Sequence, residues 1–165
     1  MANSAKKHPV ILILDSIRSV YNIGSIFRSA DSAGIEKIIL CGYCPKPPRE
    51  DITKTALGAD QTVSWEYVRE NTDAVRRCKE MGYTVLAVEL TNQGIQYDAL
   101  KAEHFPLALV LGNEISGIDD DVLKLCDGAI EIPMYGVKHS LNVAVASGIM
   151  IYEAVRSYRS HSFNE

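Results

Sequence analysis

The sequence predicts an α/β fold with a mostly parallel sheet flanked by helices, and two observations support this prediction. Short apolar runs rich in Val, Ile and Leu recur along the chain with little polar alternation, which is typical of strands covered on both faces. Segments with helical features lie between these runs, and such alternation favours a parallel sheet. The 165 residues, 47% of them hydrophobic and 23% charged, are expected to form a single domain, residues 1–165.

The apolar runs place five strands at residues 10–14, 37–41, 84–88, 107–111 and 129–132. The first helix is predicted to end at Gly34, and its apolar residues at helical spacing are Ile23, Ile26, Phe27 and Ala30. The charged segment 66–81 is predicted to be a second helix that stops before Gly82. Aspartates at 119–121 are expected to open a short helix, because negative charge suits a helix N-terminus. The last helix is expected over residues 142–157.

Charge and composition narrow the classes of protein. The formal net charge is −4 and the pI about 5.6, so any RNA contact requires a local basic patch. Lys46, Arg49 and Lys54 are candidates for that patch, with scattered solvated charges as the alternative. The uncharged run 140–152 is shorter than the roughly 20 residues that cross a bilayer, and the N-terminus lacks a signal pattern. We therefore expect a cytoplasmic protein without a membrane segment.

The four cysteines are expected to be free thiols, as in most cytoplasmic proteins. Cys41 and Cys44 form a C-x-x-C pair, which leaves a zinc half-site or a redox pair as an alternative. Because Cys78 and Cys126 do not form a second close pair, no metal is expected.

Several familiar signatures are missing from the sequence. The P-loop, the G-x-G-x-x-G loop after the first strand and the G-x-S-x-G elbow of hydrolases are absent. His139 and Ser140 are adjacent, but neighbours in sequence rarely form a nucleophile–base pair, which argues against a hydrolase. Polar residues instead follow three predicted strands, at the end where parallel α/β sheets bind ligands. The residues expected to meet there are Asn22, Arg28, Glu114, Ser140 and Asn142.

Three segments resemble, in order, the three motifs of the SpoU (TrmH-type) RNA methyltransferases of the SPOUT superfamily. They are NIGSIFRSADSAG, LVLGNEISGI and IPMYGVKHSLNVAVASGIMIYEA, and KTALGAD between the first two is similar to a further loop of that family. The resemblance covers residues 10–156. It implies a deep C-terminal trefoil knot, S-adenosylmethionine as methyl donor, a homodimer, and transfer to a ribose 2′-hydroxyl in tRNA or rRNA.

The resemblance also implies roles for the polar residues. Arg28 matches the catalytic position, and because its guanidinium keeps its proton, we expect it to bind a substrate phosphate and orient the ribose, with a general-base role left open. Asn22 would hold the motif's loop and the substrate, and from the pattern it could at the same time be the N-cap of the first helix. Glu114 would brace the cofactor loops. Ser140 and Asn142 would line the active site, although Ser140 could serve only as a cap.

The cofactor-binding residues implied by the resemblance are Val88, Leu111, Gly112, Asn113, Gly117, Ile132, Met134, Ser140 and Leu141. Lys138 is expected to contact RNA, and His139 receives no catalytic role. The uncharged last helix is expected to pack with one face on the sheet and another on a second subunit. Two alternatives remain open: a non-enzymatic RNA-binding module on the same knotted fold, and a methyltransferase that modifies a base instead of a ribose.

Overall fold

The computed structural model describes residues 5–162 and contains one seven-stranded sheet. Its strands are β1 (His8–Asp15), β2 (Ile35–Cys41), β3 (Trp65–Val68), β4 (Thr84–Val88), β5 (Ile95–Gln96), β6 (Leu107–Leu111) and β7 (Gly128–Glu131). They lie in the order β3-β2-β1-β6-β4-β7-β5, and neighbouring strands pair in parallel. The prediction of an α/β fold with a parallel sheet is confirmed, and all five predicted strands are present within two residues of their expected ends.

Helices connect these strands. They are α1 (Val20–Ala33), α2 (Glu50–Ala56), α3 (Ala59–Thr62), α4 (Asn71–Glu80), α5 (Asp120–Leu125) and α6 (Val143–Ser162), with a 3-10 turn at Ala102–His104. Gly34 ends α1 with a φ of 67°, as predicted, and its N–H donates to the carbonyls of Ala30 and Asp31. The short helix after the aspartates is also confirmed. The sequence analysis did not predict α2, α3, β3 or β5.

The prediction of a helix over residues 66–81 is wrong in its first part. Residues 65–68 form β3 instead, and α4 begins only at Asn71. Trp65, Tyr67 and Val68 are residue types that favour a pleated, half-buried surface, and the strand pairs with β2 at the sheet edge. The Tyr67 hydroxyl donates to the Gly42 carbonyl at 2.7 Å, which ties the strand to the turn after β2. Tertiary pairing therefore outweighs the charges that suggested a longer helix.

The core lies on both faces of the sheet. Val10, Leu12 and Leu14 pack towards α1 and α6, whereas Ile11 and Ile13 of the same strand pack towards α4 and α5. Burial on both faces explains why β1 is a continuous apolar run, and it is the main source of stability at roughly 25 cal/mol per Å² of apolar surface. The described part of the chain holds no helix long and apolar enough to cross a membrane.

Candidate active site

A cleft of about 630 Å³ opens at the carboxyl ends of β4, β6 and β7. This is the edge of a parallel sheet where ligands of α/β proteins bind, and the volume suits a nucleotide-sized molecule. All nine residues that the sequence assigned to a cofactor line the cleft: Val88, Leu111, Gly112, Asn113, Gly117, Ile132, Met134, Ser140 and Leu141. The structure thus brings apolar and polar residues together from the ends of β4 and β6 and from the loops after β6 and β7.

The loop after β6 is closed tightly on itself. Asn113 and Gly117 exchange two backbone hydrogen bonds of 3.0 and 2.9 Å, and Asn113 Oδ1 accepts from the Ile115 N–H. The Asn113 amide also donates to the Ser16 carbonyl at 2.8 Å, which joins this loop to the one after β1. A Cβ on Gly112 would lie 2.4 Å from the Gly117 carbonyl carbon, so only glycine permits this closure.

One hydrogen-bonded chain links the three motif segments. Asn22 Nδ2 donates to Glu114 Oε1 at 3.0 Å, and Asn142 Nδ2 donates to Asn22 Oδ1 at 3.3 Å. Asn142 Oδ1 in turn accepts the Ala144 N–H at 2.8 Å in the first turn of α6. Glu114 and Asn142 line the cleft, so the chain of hydrogen bonds runs along its rim.

Neither of the simple capping interpretations holds. Ser19 caps α1 by accepting the Asn22 N–H at 3.2 Å, so Asn22 lies inside the helix and its amide is available for the network. At α6 the capping side chain is Asn142, whose Oδ1 accepts two N–H groups, and Ser140 is an exposed residue on the cleft wall. The alternative that Asn22 is the N-cap of α1 is therefore wrong.

Arg28 is not brought into the cleft. It is exposed and lies six residues beyond Asn22, about 9 Å further along α1 at 1.5 Å per residue. It shares a helix face with Gly24 and Asp31. A Cβ on Gly24 would collide with Thr55, and Asp31 accepts a hydrogen bond from the Thr62 hydroxyl, so this face is turned towards α2 and α3. Arg28 thus lies outside the cleft, on the part of α1 that runs away from the carboxyl edge of the sheet.

The residues assigned to RNA binding do not form a strongly positive patch. Lys46 Nζ lies 4.1 Å from the centre of the Tyr67 ring. Arg49 pairs with Asp51 at 2.8 Å and Lys54 pairs with Glu50 at 3.3 Å, so three cations and two carboxylates leave a local charge of +1. Exposed pairs of this kind are weak, and a phosphate can displace the carboxylates. Lys138 is exposed on the loop before α6.

Glu89 lines the cleft and was missed by the sequence analysis. It directly follows β4, at the same carboxyl edge that identified the other residues, so the signal was present in the sequence. Burial raises the pKa of its carboxyl, while the nearby Ile118 N–H lowers it. His139, which received no role, also lines the cleft.

The C-x-x-C pair lies in the core. Cys41 and Cys44 are both buried free thiols, and Cys44 Sγ accepts from the Ile17 N–H and donates to the Leu14 carbonyl. Burial raises the pKa of the Cys44 thiol to about 11 and raises that of Cys41 further, which suppresses thiolate chemistry. Residues 5–162 contain no cluster of three or more His, Cys, Asp or Glu side chains placed to hold a metal ion.

A parallel sheet with a cleft formed by the loops after β4, β6 and β7 defines an α/β protein with a candidate ligand site at the carboxyl edge of the sheet. The profile of the SpoU rRNA Methylase family matches residues 9–152, and the chain belongs to this family.

Comparison with individual proteins agrees with that assignment. The chain is 36% identical over 150 residues to the 23S rRNA (guanosine-2′-O-)-methyltransferase of Vibrio vulnificus, a match that covers 90% of this chain and 59% of that protein. The chain spans less than two thirds of the length of such curated relatives.

Two solved structures are similar in fold. The A. aeolicus TrmH/SpoU tRNA modifying enzyme superposes with a TM-score of 0.84 at 26% identity, covering 95% of this chain and 79% of that one. The AdoMet-bound rRNA methyltransferase from Sinorhizobium meliloti superposes with a TM-score of 0.82 at 29% identity, covering 90% of this chain and 58% of that one.

Proposed function

We propose that this chain is an S-adenosylmethionine-dependent RNA methyltransferase that acts on a ribose 2′-hydroxyl in tRNA or rRNA. The observation that carries the proposal is the hydrogen-bonded chain Glu114–Asn22–Asn142 at the rim of the cleft. It joins all three motif segments beside a ligand-sized cavity. The family, and the activities by which its relatives are named, support the same reaction class.

The cleft fits the donor chemically. The apolar lining residues Val88, Leu111, Ile132 and Met134 suit adenine, and the polar loop residues suit the ribose and amino-acid portions. Gly112 permits the tight closure of the loop after β6, and the backbone of this loop lines the cleft. When bound, S-adenosylmethionine supplies a methyl group already activated on a sulfonium.

The chain's own residues then provide position and charge. Asn22, Glu114 and Asn142 fix the loops at the rim, and Ser140 faces the same space. Arg28, beyond the cleft and exposed, binds a phosphate of the RNA and orients the ribose hydroxyl. Alignment of the two reactants is expected to supply most of the acceleration, because oriented groups react at high effective concentration.

We further infer a trefoil knot, a homodimer and a cytoplasmic location. The knot is supported by the family and by the loops at 112–117 and 132–142, which share one cleft. The dimer is supported by exposed apolar residues next to the site: Tyr21, Leu141, Val145 and Tyr152 are 66%, 38%, 51% and 53% exposed. Exposed apolar residues on α1 and α6 are residues that an interface between subunits would bury.

The test is methylation of RNA from a strain that lacks the corresponding gene, with methyl-labelled S-adenosylmethionine and nucleoside mass analysis. The proposal requires a 2′-O-methylated nucleoside. A methylated base would instead identify the base-directed alternative. RNA binding without methyl transfer would identify the non-enzymatic module, and the Arg28→Ala protein serves as the matched control.

A further inference from the structure

Glu89 occupies a fixed position in the cleft. It directly follows β4, and its backbone N–H donates to the Ile130 carbonyl of β7 at 3.1 Å, which extends the pairing of the two strands by one residue. Its neighbours Val88 and Leu90 also line the cleft. The position of this carboxylate is therefore set by the sheet and not by a free loop.

The opposite wall leaves room for the carboxylate. Gly117 has a φ of 71°, and a Cβ built on it would lie 3.1 Å from Glu89 Oε1. The two hydrogen bonds between Gly117 and Asn113 hold that wall in place. The Glu89 carboxylate thus lies against the bare backbone of the loop after β6, at the wall of the cleft.

The carboxylate has unused acceptor capacity. No Lys, Arg or His forms an ion pair with Glu89 in the part of the chain that the structure describes, and the nearby Ile118 N–H lowers the pKa of its carboxyl. An ionised carboxylate offers about four acceptor sites and no donor. Because Glu89 is half-buried, these sites favour a ligand that supplies hydrogen-bond donors.

We propose that the Glu89 carboxylate accepts hydrogen bonds from the 2′- and 3′-hydroxyls of the donor's ribose. This inference rests on the proposed cofactor, S-adenosylmethionine. The apolar residues beside Glu89, Val88 and Ile132, suit the adenine ring, and the next part of an adenosine is its ribose. The two hydroxyls of a cis-diol match the two oxygens of one carboxylate, as acidic residues do with ribose in dinucleotide-binding folds.

The donor's ammonium group is the competing partner, and ligand choice separates the two. S-adenosylhomocysteine carries both the diol and the ammonium, whereas 5′-methylthioadenosine keeps the diol and lacks the amino-acid portion. The 2′,3′-dideoxy analogue of 5′-methylthioadenosine lacks the diol as well. Calorimetric binding of these three ligands to the intact chain therefore reports which group Glu89 contacts, without any methylation assay.

The variants are Glu89→Ala and Glu89→Gln, with Glu131→Gln as control. Glu131 ends β7, accepts from the Gln96 amide at 2.6 Å and does not line the cleft. Glu89→Ala is expected to lower the affinity for S-adenosylhomocysteine and the affinity for 5′-methylthioadenosine by the same factor, about 10- to 100-fold, because hydrogen bonds to a charged group are lost. Glu89→Gln preserves the shape of the side chain and is expected to lose less affinity. Glu131→Gln is expected to lose no affinity. The dideoxy analogue should bind all four proteins alike.

Three results would overturn the inference. Loss of affinity for S-adenosylhomocysteine with unchanged 5′-methylthioadenosine binding would assign Glu89 to the ammonium. Unchanged affinity of both Glu89 variants for every ligand would remove Glu89 from the site. Failure of the wild-type protein to bind either adenosine ligand would reject the proposed cofactor itself, which distinguishes that failure from the other two. Thermal unfolding of each variant verifies that the fold is intact.

Discussion

The Asn22 amide donates to Glu114 Oε1 at 3.0 Å, across 92 residues of sequence. The donor lies in the first turn of α1 and the acceptor in the loop after β6, so a single hydrogen bond joins α1 to a loop that lines the cleft. Asn142 continues the connection to α6. Because the acceptor is a carboxylate, the bond is charge-assisted and stronger than one between neutral groups.

Asn22→Asp tests this network directly. The change replaces the donating amide with a carboxylate against Glu114, and we expect the cleft to lose order and methylation to fall at least about tenfold, since like charges in contact repel and an unmade hydrogen bond costs about 1–3 kcal/mol. Methylation rate and melting temperature are the measurements.

The matched control is Glu114→Gln, which keeps an acceptor oxygen and is expected to have a small effect. In the double variant the Gln amide can donate to Asp at position 22, so most of the lost activity should return. A double variant no better than Asn22→Asp would show that the two side chains are not coupled.

Arg28→Ala is expected to abolish methylation while leaving cofactor affinity within about twofold. Arg28 lies outside the cleft, so the cofactor does not depend on it, whereas removal of a group that positions charge typically costs about 100-fold or more in rate. Arg28→Lys keeps the positive charge but lacks the planar guanidinium with its paired donors, so it should retain part of the methylation rate. Parallel measurement of turnover and S-adenosylhomocysteine binding decides the matter, and normal turnover by the alanine variant would exclude Arg28 from catalysis.

The sequence predicted the sheet and the cleft well because both depend on local signals. Buried strands such as β1 and β6 are continuous apolar runs, and polar residues after them mark the ligand edge. The sequence did not predict elements whose conformation depends on pairing with another strand. Edge strand β3 is partly exposed and bordered by charges, so its residues resembled the start of a helix, and the two-residue β5 has no periodicity of its own.

Side-chain partnerships were less accessible from the sequence. Asn22 matched an N-cap pattern, yet the side chain that caps α1 is that of Ser19, three residues earlier. The Asn22 side chain instead donates to Glu114. Glu89 carried the same positional signal as Glu114 but stood outside the recognised motifs. Which carboxylate meets a donor depends on distances between loops, and these follow from the packing of the whole sheet.

Gly112→Ala is expected to destabilise the protein by about 1–3 kcal/mol and weaken cofactor binding, because forced overpacking displaces backbone. The added Cβ would lie 2.4 Å from the Gly117 carbonyl carbon and 2.6 Å from the Ile118 nitrogen, and neither atom can rotate away. Gly128→Ala is the control, since its Cβ would meet only Leu86 Cδ2 at 3.5 Å. Urea unfolding measures the stability of the two variants, and calorimetry measures their affinity for the cofactor. Equal stability and equal affinity of Gly112→Ala and Gly128→Ala would contradict the argument that the backbone at Gly112 has no room for a Cβ.

Val145→Asp tests the proposed dimer. Val145 and Tyr152 are seven residues apart on α6, so they share an exposed face, and a charge there is expected to raise the dimer dissociation constant at least about tenfold. Met81→Asp, at a residue 58% exposed beyond α4, is the control for a charge on an ordinary surface. Sedimentation equilibrium measures both. A monomeric wild-type protein at tens of micromolar, or an undisturbed Val145→Asp dimer, would reject this interface.

Because the Cys44 thiol is buried, we expect the protein to lose stability at alkaline pH. Burial raises its pKa from about 9 in the unfolded chain to about 11, so between these values the unfolded chain releases a proton that the native protein retains. Native stability from this group is therefore complete below pH 9 and declines as pH rises towards 11, by roughly 2–3 kcal/mol in total. Unfolding free energies in urea under reducing conditions, at pH 8, 9.5 and 11, measure the decline.

Cys44→Ser isolates this contribution from the other groups that titrate in the same range. Serine can accept from the Ile17 N–H and donate to the Leu14 carbonyl as the thiol does, but it does not ionise below pH 11. We expect the serine variant to lose less stability than the wild type between pH 9 and pH 11. The difference between their unfolding free energies should therefore change by roughly 2–3 kcal/mol over this range. Parallel curves would mean that the Cys44 thiol titrates alike in the folded and unfolded chains, and that its burial does not hold the proton.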